Sequence, residues 1–172
     1  MSKNLAPAIA AVTRTLPEHV AAEAEMTAFF KRAWSRSVDP ARIEELHRNV
    51  GVERRYLSVS LQELERLDSF SKRNDAYIRC ATELGERAIR EALTRAGLTA
   101  QDIDHIFFVS ITGLSNPSID ARLANRLEMR PDVKRTPLWG LGCVGGAAGL
   151  ARAAYYLRAY PDHTAVLLSV EL

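Results

Sequence analysis

The chain has 172 residues, 47% of them apolar and 26% charged, with a formal net charge of +2. That length can bury a sizeable core, the composition is ordinary for a globular protein, and the near-neutral balance excludes a polyanion as the expected partner. The apolar stretches, such as Ala165 to Leu168, are strand-sized and too short to span a bilayer. The amino terminus, MSKNLAPAIA, lacks the long apolar region of a secretion signal, so a cytoplasmic protein is expected. Cys80 and Cys143 fit neither a metal-ligand spacing nor a disulfide framework, and both are expected to be thiols.

In chain order, Ala6 to Thr13 reads as a first buried strand. A helix from about Glu18 to Ser35 follows, with Val20, Met26, Phe29, Phe30 and Trp34 near helical spacing as core contacts. Asp39-Pro40 is a cap followed by proline at the first helical position, opening a helix through His47 that stops near Gly51. Arg54 and Arg55 fall in a loop or short strand, and Ser60 to Glu63 has the pattern of a capping box. Asn74 to Ala96 is the longest helical reading, with Tyr77, Ala81, Leu84, Ala88 and Leu93 inward and Gly97 as its stop; Cys80 lies within it as a small packing residue. Asp104 to Thr112 is a buried strand, followed by a loop through Pro117 and a helix from Ser118 to Met129. Thr164 to Glu171 is a further buried strand, apolar enough to belong in the middle of a sheet. Strands alternating with long helices predict an α/β fold with an at least partly parallel sheet.

The most informative stretch is Thr136 to Tyr160: a short strand at Pro137-Leu138-Trp139, a glycine-flanked turn carrying Cys143, and a long helix. Trp139 is expected to pack, with a place at the border of an acyl pocket as the less favoured alternative. At the first turn of a helix, unpaired N–H groups and the positive end of the dipole favour a thiolate and could hold an oxyanion. Gly145, Gly146 and Gly149 would each cost the helix roughly 1 kcal/mol relative to alanine. Close approach of a neighbouring backbone or an acyl substrate would offset that cost. A buried packing cysteine fits the same pattern about as well as a catalytic one.

A cysteine nucleophile normally needs a base within hydrogen-bond reach. His163 follows the far end of the cysteine helix, which at about 1.5 Å per residue places it roughly 25 Å from the thiol. His105 begins a strand whereas Cys143 follows one, so in a parallel sheet they occupy opposite edges. His19 and His47, on helices with charged neighbours, are expected on solvated surface. No partner for Cys143 is expected within the chain.

The run LWGLGCVGGAAGLARAAYYL, preceded by RPDVKRTP and followed by AVLLSVEL, resembles the nucleophile region of type III polyketide synthases, the chalcone and stilbene synthase-like branch of the thiolase superfamily. PAIAAVTRTLPEHV near the start, GVERRYL at Gly51 to Leu57, and VSITGLSNPSIDARL at Val109 to Leu123 extend the resemblance in order along the whole chain. Within the family the wording is most similar to bacterial alkylpyrone and alkylresorcinol synthases.

The resemblance implies a single thiolase-like amino-terminal domain over residues 1–172, half of an αβαβα layered fold with a mixed, partly parallel sheet. It implies an acyltransferase in which Cys143 accepts a starter acyl group, long-chain ones among the options. Decarboxylative condensation with malonyl-CoA would then extend the chain toward alkylpyrone, resorcinol or related aromatic polyketides. Coenzyme A thioesters would be substrates, with no bound cofactor and no metal. Arg54 and Arg55 stand where family members meet coenzyme A phosphates, and guanidinium suits phosphate. Thr112, Gly113 and Asn116 match the loop that lines the family's cavity and reaches the other subunit of a homodimer; Asn116 replaces a methionine there. The histidine and asparagine that complete the family's Cys-His-Asn triad come from a carboxy-terminal half, which is expected to follow. The 172 residues alone would then lack full activity. The alternatives are an initiating ketoacyl-acyl carrier protein synthase and a non-catalytic half serving in an assembly.

Overall fold

A computed structural model describes residues 6–172, which form two compact units: Leu16–Ala76, and residues 6–15 together with Tyr77–Leu172.

In the first unit β1 (His19–Ala22) pairs antiparallel with β2 (Arg54–Leu57), Ala21 facing Arg55 and Ala22 facing Arg54. Between them lie α1 (Glu23–Ala33) and α2 (Pro40–Val50), and α3 (Leu61–Arg66) follows. The expected helix at Glu18 starts at Glu23 instead, because the preceding four residues are committed to the β pair. The α2 boundaries match their signals: the Asp39 carboxylate accepts from the Ala41 amide at 2.9 Å, and Gly51 closes the helix at φ 64°. Met26, Phe29, Ile43 and Val59 are buried. His47 is buried with them, contrary to its expected surface position. Four residues after Ile43, it shares that residue's inward face, meets Phe30 edge-on, and shares a 2.7 Å hydrogen bond with the Thr27 hydroxyl. His19 is exposed, though on a strand rather than a helix.

The second unit is built on a three-stranded sheet of order β4-β3-β5, from β3 (His105–Val109), β4 (Lys134–Leu138) and β5 (Ala165–Ser169). Both pairings are parallel, with Phe107 level with Thr136 on one side and Leu167 on the other. The alternation of β3 divides its neighbours between two faces. Ile106 and Phe108 join α4 (Phe70–Ala96), through Ala81, Ile89 and Leu93, and α5 (Ile119–Arg126), through Ile119 and Leu123. His105 and Val109 face α6 (Gly145–Ala159): the ring of Tyr156 meets His105, and Gly145 abuts Val109. Helices thus cover both faces of a parallel sheet, the α/β arrangement expected. The mixed character expected of the sheet is resolved into a wholly parallel sheet here and a separate antiparallel pair in the other unit.

Several expectations are corrected. Ala6 to Thr13 forms no strand, and Ile9 and Val12 are 69% and 72% exposed. Half of its residues are alanine and Pro7 adds no ladder donor, both unfavourable to a strand, and the segment is held by side-chain bonds instead. The Thr13 hydroxyl donates to the Ala88 carbonyl and Arg95 to that of Val12, each at 3.1 Å. The α4 helix begins at Phe70 rather than Asn74, with the Ser69 hydroxyl accepting from the Lys72 amide. β4 starts at Lys134 and ends before Trp139, which is 64% exposed rather than packed. An edge strand accepts charged residues and a proline, so its apolar run did not mark its limits. β5 is likewise at the edge of this sheet and not in its middle. Its apolar character answers to two covered faces, Leu168 toward the α4–α5 layer and Leu167 toward α6.

Candidate active site

After β4 the chain turns through Gly140 at φ 83° and Gly142 at φ 55°, left-handed conformations that a side chain resists. Gly142–Val144 then forms a single 3-10 turn that runs directly into α6. Cys143 sits on this turn and is exposed, so the buried packing reading does not hold. The Cβ of an alanine at Gly145 would lie 2.6 Å from Val109 Cγ1, and one at Gly149 would lie 2.6 Å from Leu167 Cδ1. Two of the three glycines therefore let α6 seat directly on β3 and β5. Gly146 differs: its nearest neighbour, Ser169 Oγ, would be 3.8 Å away, an ordinary contact.

The loop after β3 lies at the same, carboxy-terminal edge of the parallel strands, where ligands of such sheets generally bind. It begins under the control of Glu171, just past β5. That carboxylate accepts from the Ile111 amide at 3.0 Å and from the Thr112 hydroxyl at 2.6 Å. Beyond it, Gly113, Leu114 and Ser115 line a cavity of about 240 Å³ together with Tyr77, Ser110 and Trp139. Phe108, Pro137 and Leu138 supply its apolar side. Burial pushes the Tyr77 phenol above its usual range, against a hydrogen bond with Ser110 that lowers it, and the charge of Glu171 raises it further. Tyr77 is thus held as a neutral hydroxyl. At the other end of the loop, Arg122 Nε donates to Ser115 Oγ at 3.1 Å and to the Pro117 carbonyl at 3.2 Å.

Of the expected pocket residues, Gly113 lines this cavity. Thr112 is exposed with its hydroxyl committed to Glu171, and Asn116 is exposed outside the cavity lining. Arg54 is exposed and Arg55 half-buried on β2 of the other unit, and among the described residues neither forms an ion pair. Sequence reasoning missed Glu171, Arg122 and the cavity role of Tyr77. The first two bond to residues that are distant or irregular in sequence, and Tyr77 carries no signal beyond its place on the inward face of α4.

The histidines are engaged elsewhere. His105 is buried at the opposite edge of the sheet, its Nε2 2.8 Å from the Thr136 hydroxyl and its ring stacked on Phe107. His163 bonds the Tyr156 hydroxyl through Nδ1 at 2.5 Å. Among the described residues no hydrogen bond joins a histidine to Cys143, and no cluster of three or more His, Cys, Asp or Glu side chains could hold a metal.

A parallel sheet covered on both faces, with an exposed cysteine on a glycine turn between a strand and a helix, is the arrangement of a thiolase-like fold. The chain belongs to the chalcone and stilbene synthase family, whose N-terminal domain model matches residues 2–169. It is 47% identical over 165 residues to a 1,3,6,8-tetrahydroxynaphthalene synthase of Streptomyces peucetius subsp. caesius, covering 95% of this chain and 44% of that protein. A putative chalcone synthase of Bacillus subtilis is 46% identical over 109 residues, 60% of this chain and 30% of the relative. The crystal structure of 1,3,6,8-tetrahydroxynaphthalene synthase from Streptomyces coelicolor, a bacterial type III polyketide synthase, superposes with a TM-score of 0.83 at 31% identity. It is matched over 91% of this chain and 45% of its own length. The chain thus spans less than half the length of these relatives. No helix among the described residues is long and apolar enough to cross a membrane.

Proposed function

We propose that this chain supplies the nucleophile-bearing half of a type III polyketide synthase. The Cys143 thiolate attacks the carbonyl of a starter acyl-CoA, the thioester bond to coenzyme A breaks, and the coenzyme leaves as its thiolate, which takes a proton from solvent. Malonyl-CoA then loses carbon dioxide, and the resulting enolate attacks the acyl-cysteine carbonyl, forming a carbon–carbon bond as the thioester bond to Cys143 breaks and its thiolate is released. Histidine and asparagine from the family's carboxy-terminal half would stabilise that enolate. Arg54 and Arg55 bind coenzyme A phosphates, and Thr112, Gly113 and Asn116 belong to the substrate-facing loop. The working protein is a cytoplasmic homodimer.

What carries this reading is one observation: in a chain of this family, Cys143 is exposed on the turn that leads from β4 into α6. The product range is an aromatic polyketide or an alkylpyrone or resorcinol. A relative named for a fused polyhydroxylated arene supports the aromatic end of that range. The test is to incubate the full-length protein with malonyl-CoA and a panel of acyl-CoA starters, following coenzyme A release and the products formed. The reading expects condensed products that are lost in Cys143→Ala. Equal product formation by that variant contradicts it. Arg54→Ala and Arg55→Ala are expected to weaken acyl-CoA binding, with a smaller effect at high salt.

A further inference from the structure

We propose that Arg122 is a positioning residue for this site, holding the 113–117 loop in the shape that limits which polyketide chains the cavity accepts. The inference rests on the synthase reading above.

The loop is tied at both ends by charged side chains from different elements. Glu171 fixes its beginning through the Ile111 amide and the Thr112 hydroxyl. Arg122 fixes its end, and does so through Ser115, whose side of the loop lines the cavity. The Ser115 hydroxyl accepts from Arg122 Nε and itself donates to the Pro117 carbonyl at 2.5 Å, while the same Nε also reaches that carbonyl. These three bonds close a small ring joining the loop to α5. The hydroxyl of Ser115 is thereby engaged as both donor and acceptor, which fixes its side of the cavity lining.

α5 is a firm support for such a ring. Ile119 and Leu123 flank Arg122 at 1% and 0% exposure, and Asp120, also 0% exposed, accepts from Arg135 of β4 at 2.9 Å. The loop end therefore inherits the rigidity of a core helix. Arginine suits the task because a planar guanidinium keeps its Nε at a fixed angle to the chain, whereas a lysine ammonium is a flexible point donor. Without Arg122 this end of the loop is no longer tied to α5, and the lining that Ser115 gives a cavity of only about 240 Å³ moves with it. Chain length and folding mode should respond, while loading of Cys143, on a different loop, should not.

The experiment compares full-length wild type with Arg122→Ala, Arg122→Lys and Ser115→Ala, measuring acyl loading of Cys143, product distribution and amide exchange in the loop. In Arg122→Ala, exchange at the amides of residues 113–116 is expected to accelerate about tenfold, as loss of the shared Nε–H bond to Ser115 and Pro117 permits, while α6 is unchanged. Products other than the main one should rise in proportion, with loading within about twofold of wild type. Arg122→Lys should restore part of the product pattern, and Arg122→Ala with Ser115→Ala should be no worse than Arg122→Ala alone. An unchanged product distribution, or loop exchange equal to wild type, overturns the proposal. Failure of the wild type to load Cys143 would sink the synthase reading, and the product claim with it. The exchange data would still decide whether Arg122 holds the loop.

Discussion

Val109 Cγ1 occupies the space that a Cβ on Gly145 would need, 2.6 Å from its ideal position. This contact sets how closely the helix that starts after Cys143 can approach β3. Two residues beyond the nucleophile candidate, the chain can tolerate no side chain without moving either the helix or the strand.

Gly145→Ala and Gly149→Ala should each destabilise the protein by about 1–3 kcal/mol, the usual cost of overpacking a core. Gly146→Ala should be neutral or stabilising by up to about 1 kcal/mol, because it gains helix propensity without a clash. Chemical denaturation of the three variants checks this contrast. Equal destabilisation by all three would mean that α6 does not seat on the sheet as described.

His105 is expected to make stability fall in mild acid. Burial pushes its pKa below the ordinary histidine value, and the positive charges of Lys134 and His163 lower it further. The unfolded chain then binds a proton that the folded chain refuses. The associated stability is present above the unfolded pKa of about 6.5 and is lost as pH falls from there toward the depressed folded value. Unfolding midpoints measured from pH 8 to pH 5 should show this slope in wild type and a reduced slope in His105→Gln.

Asp120 is fully buried at the start of α5, and Arg135, half exposed, is its partner. Arg135→Ala would strand the carboxylate and is expected to cost about 2–3 kcal/mol, reduced from a fully buried pair by the exposure of the arginine. Asp120→Asn combined with Arg135→Ala should recover part of that loss. If the double variant is as unstable as the sum of the singles, the pair is not coupled.

Glu171→Ala should free the beginning of the loop that follows β3. Amide exchange at Ile111 and Thr112 is expected to accelerate, with global stability falling by about 1 kcal/mol because the bonds are solvent-accessible. Glu171→Gln, which keeps an acceptor, should lie between the two.

Much of the molecule was legible in the sequence because it rests on local signals. Asp39-Pro40 and Gly51 bound α2, Gly97 ends α4, and the apolar run from His105 marked a fully buried strand. The cysteine turn was readable from Gly140 and Gly142, which both adopt positive φ. What was not legible depends on partners distant in sequence. His19 to Ala22 looks helical until β2 pairs with it, and His47 looks like surface until Thr27 and Phe30 cover it. Trp139 looks like strand core until β4 ends one residue short. At the candidate site, Cys143 and Gly113 carried recognisable patterns. Glu171 and Arg122 act through backbone groups and a serine in an irregular loop, a relation with no periodicity to betray it.

The central claim is that Cys143 is an acyl-accepting nucleophile, and intact-mass measurement of the full-length protein before and after exposure to acyl-CoA tests it most directly. The account predicts a gain of one acyl group per chain, abolished in Cys143→Ala while that variant stays folded. Acylation that persists unchanged in Cys143→Ala would contradict it.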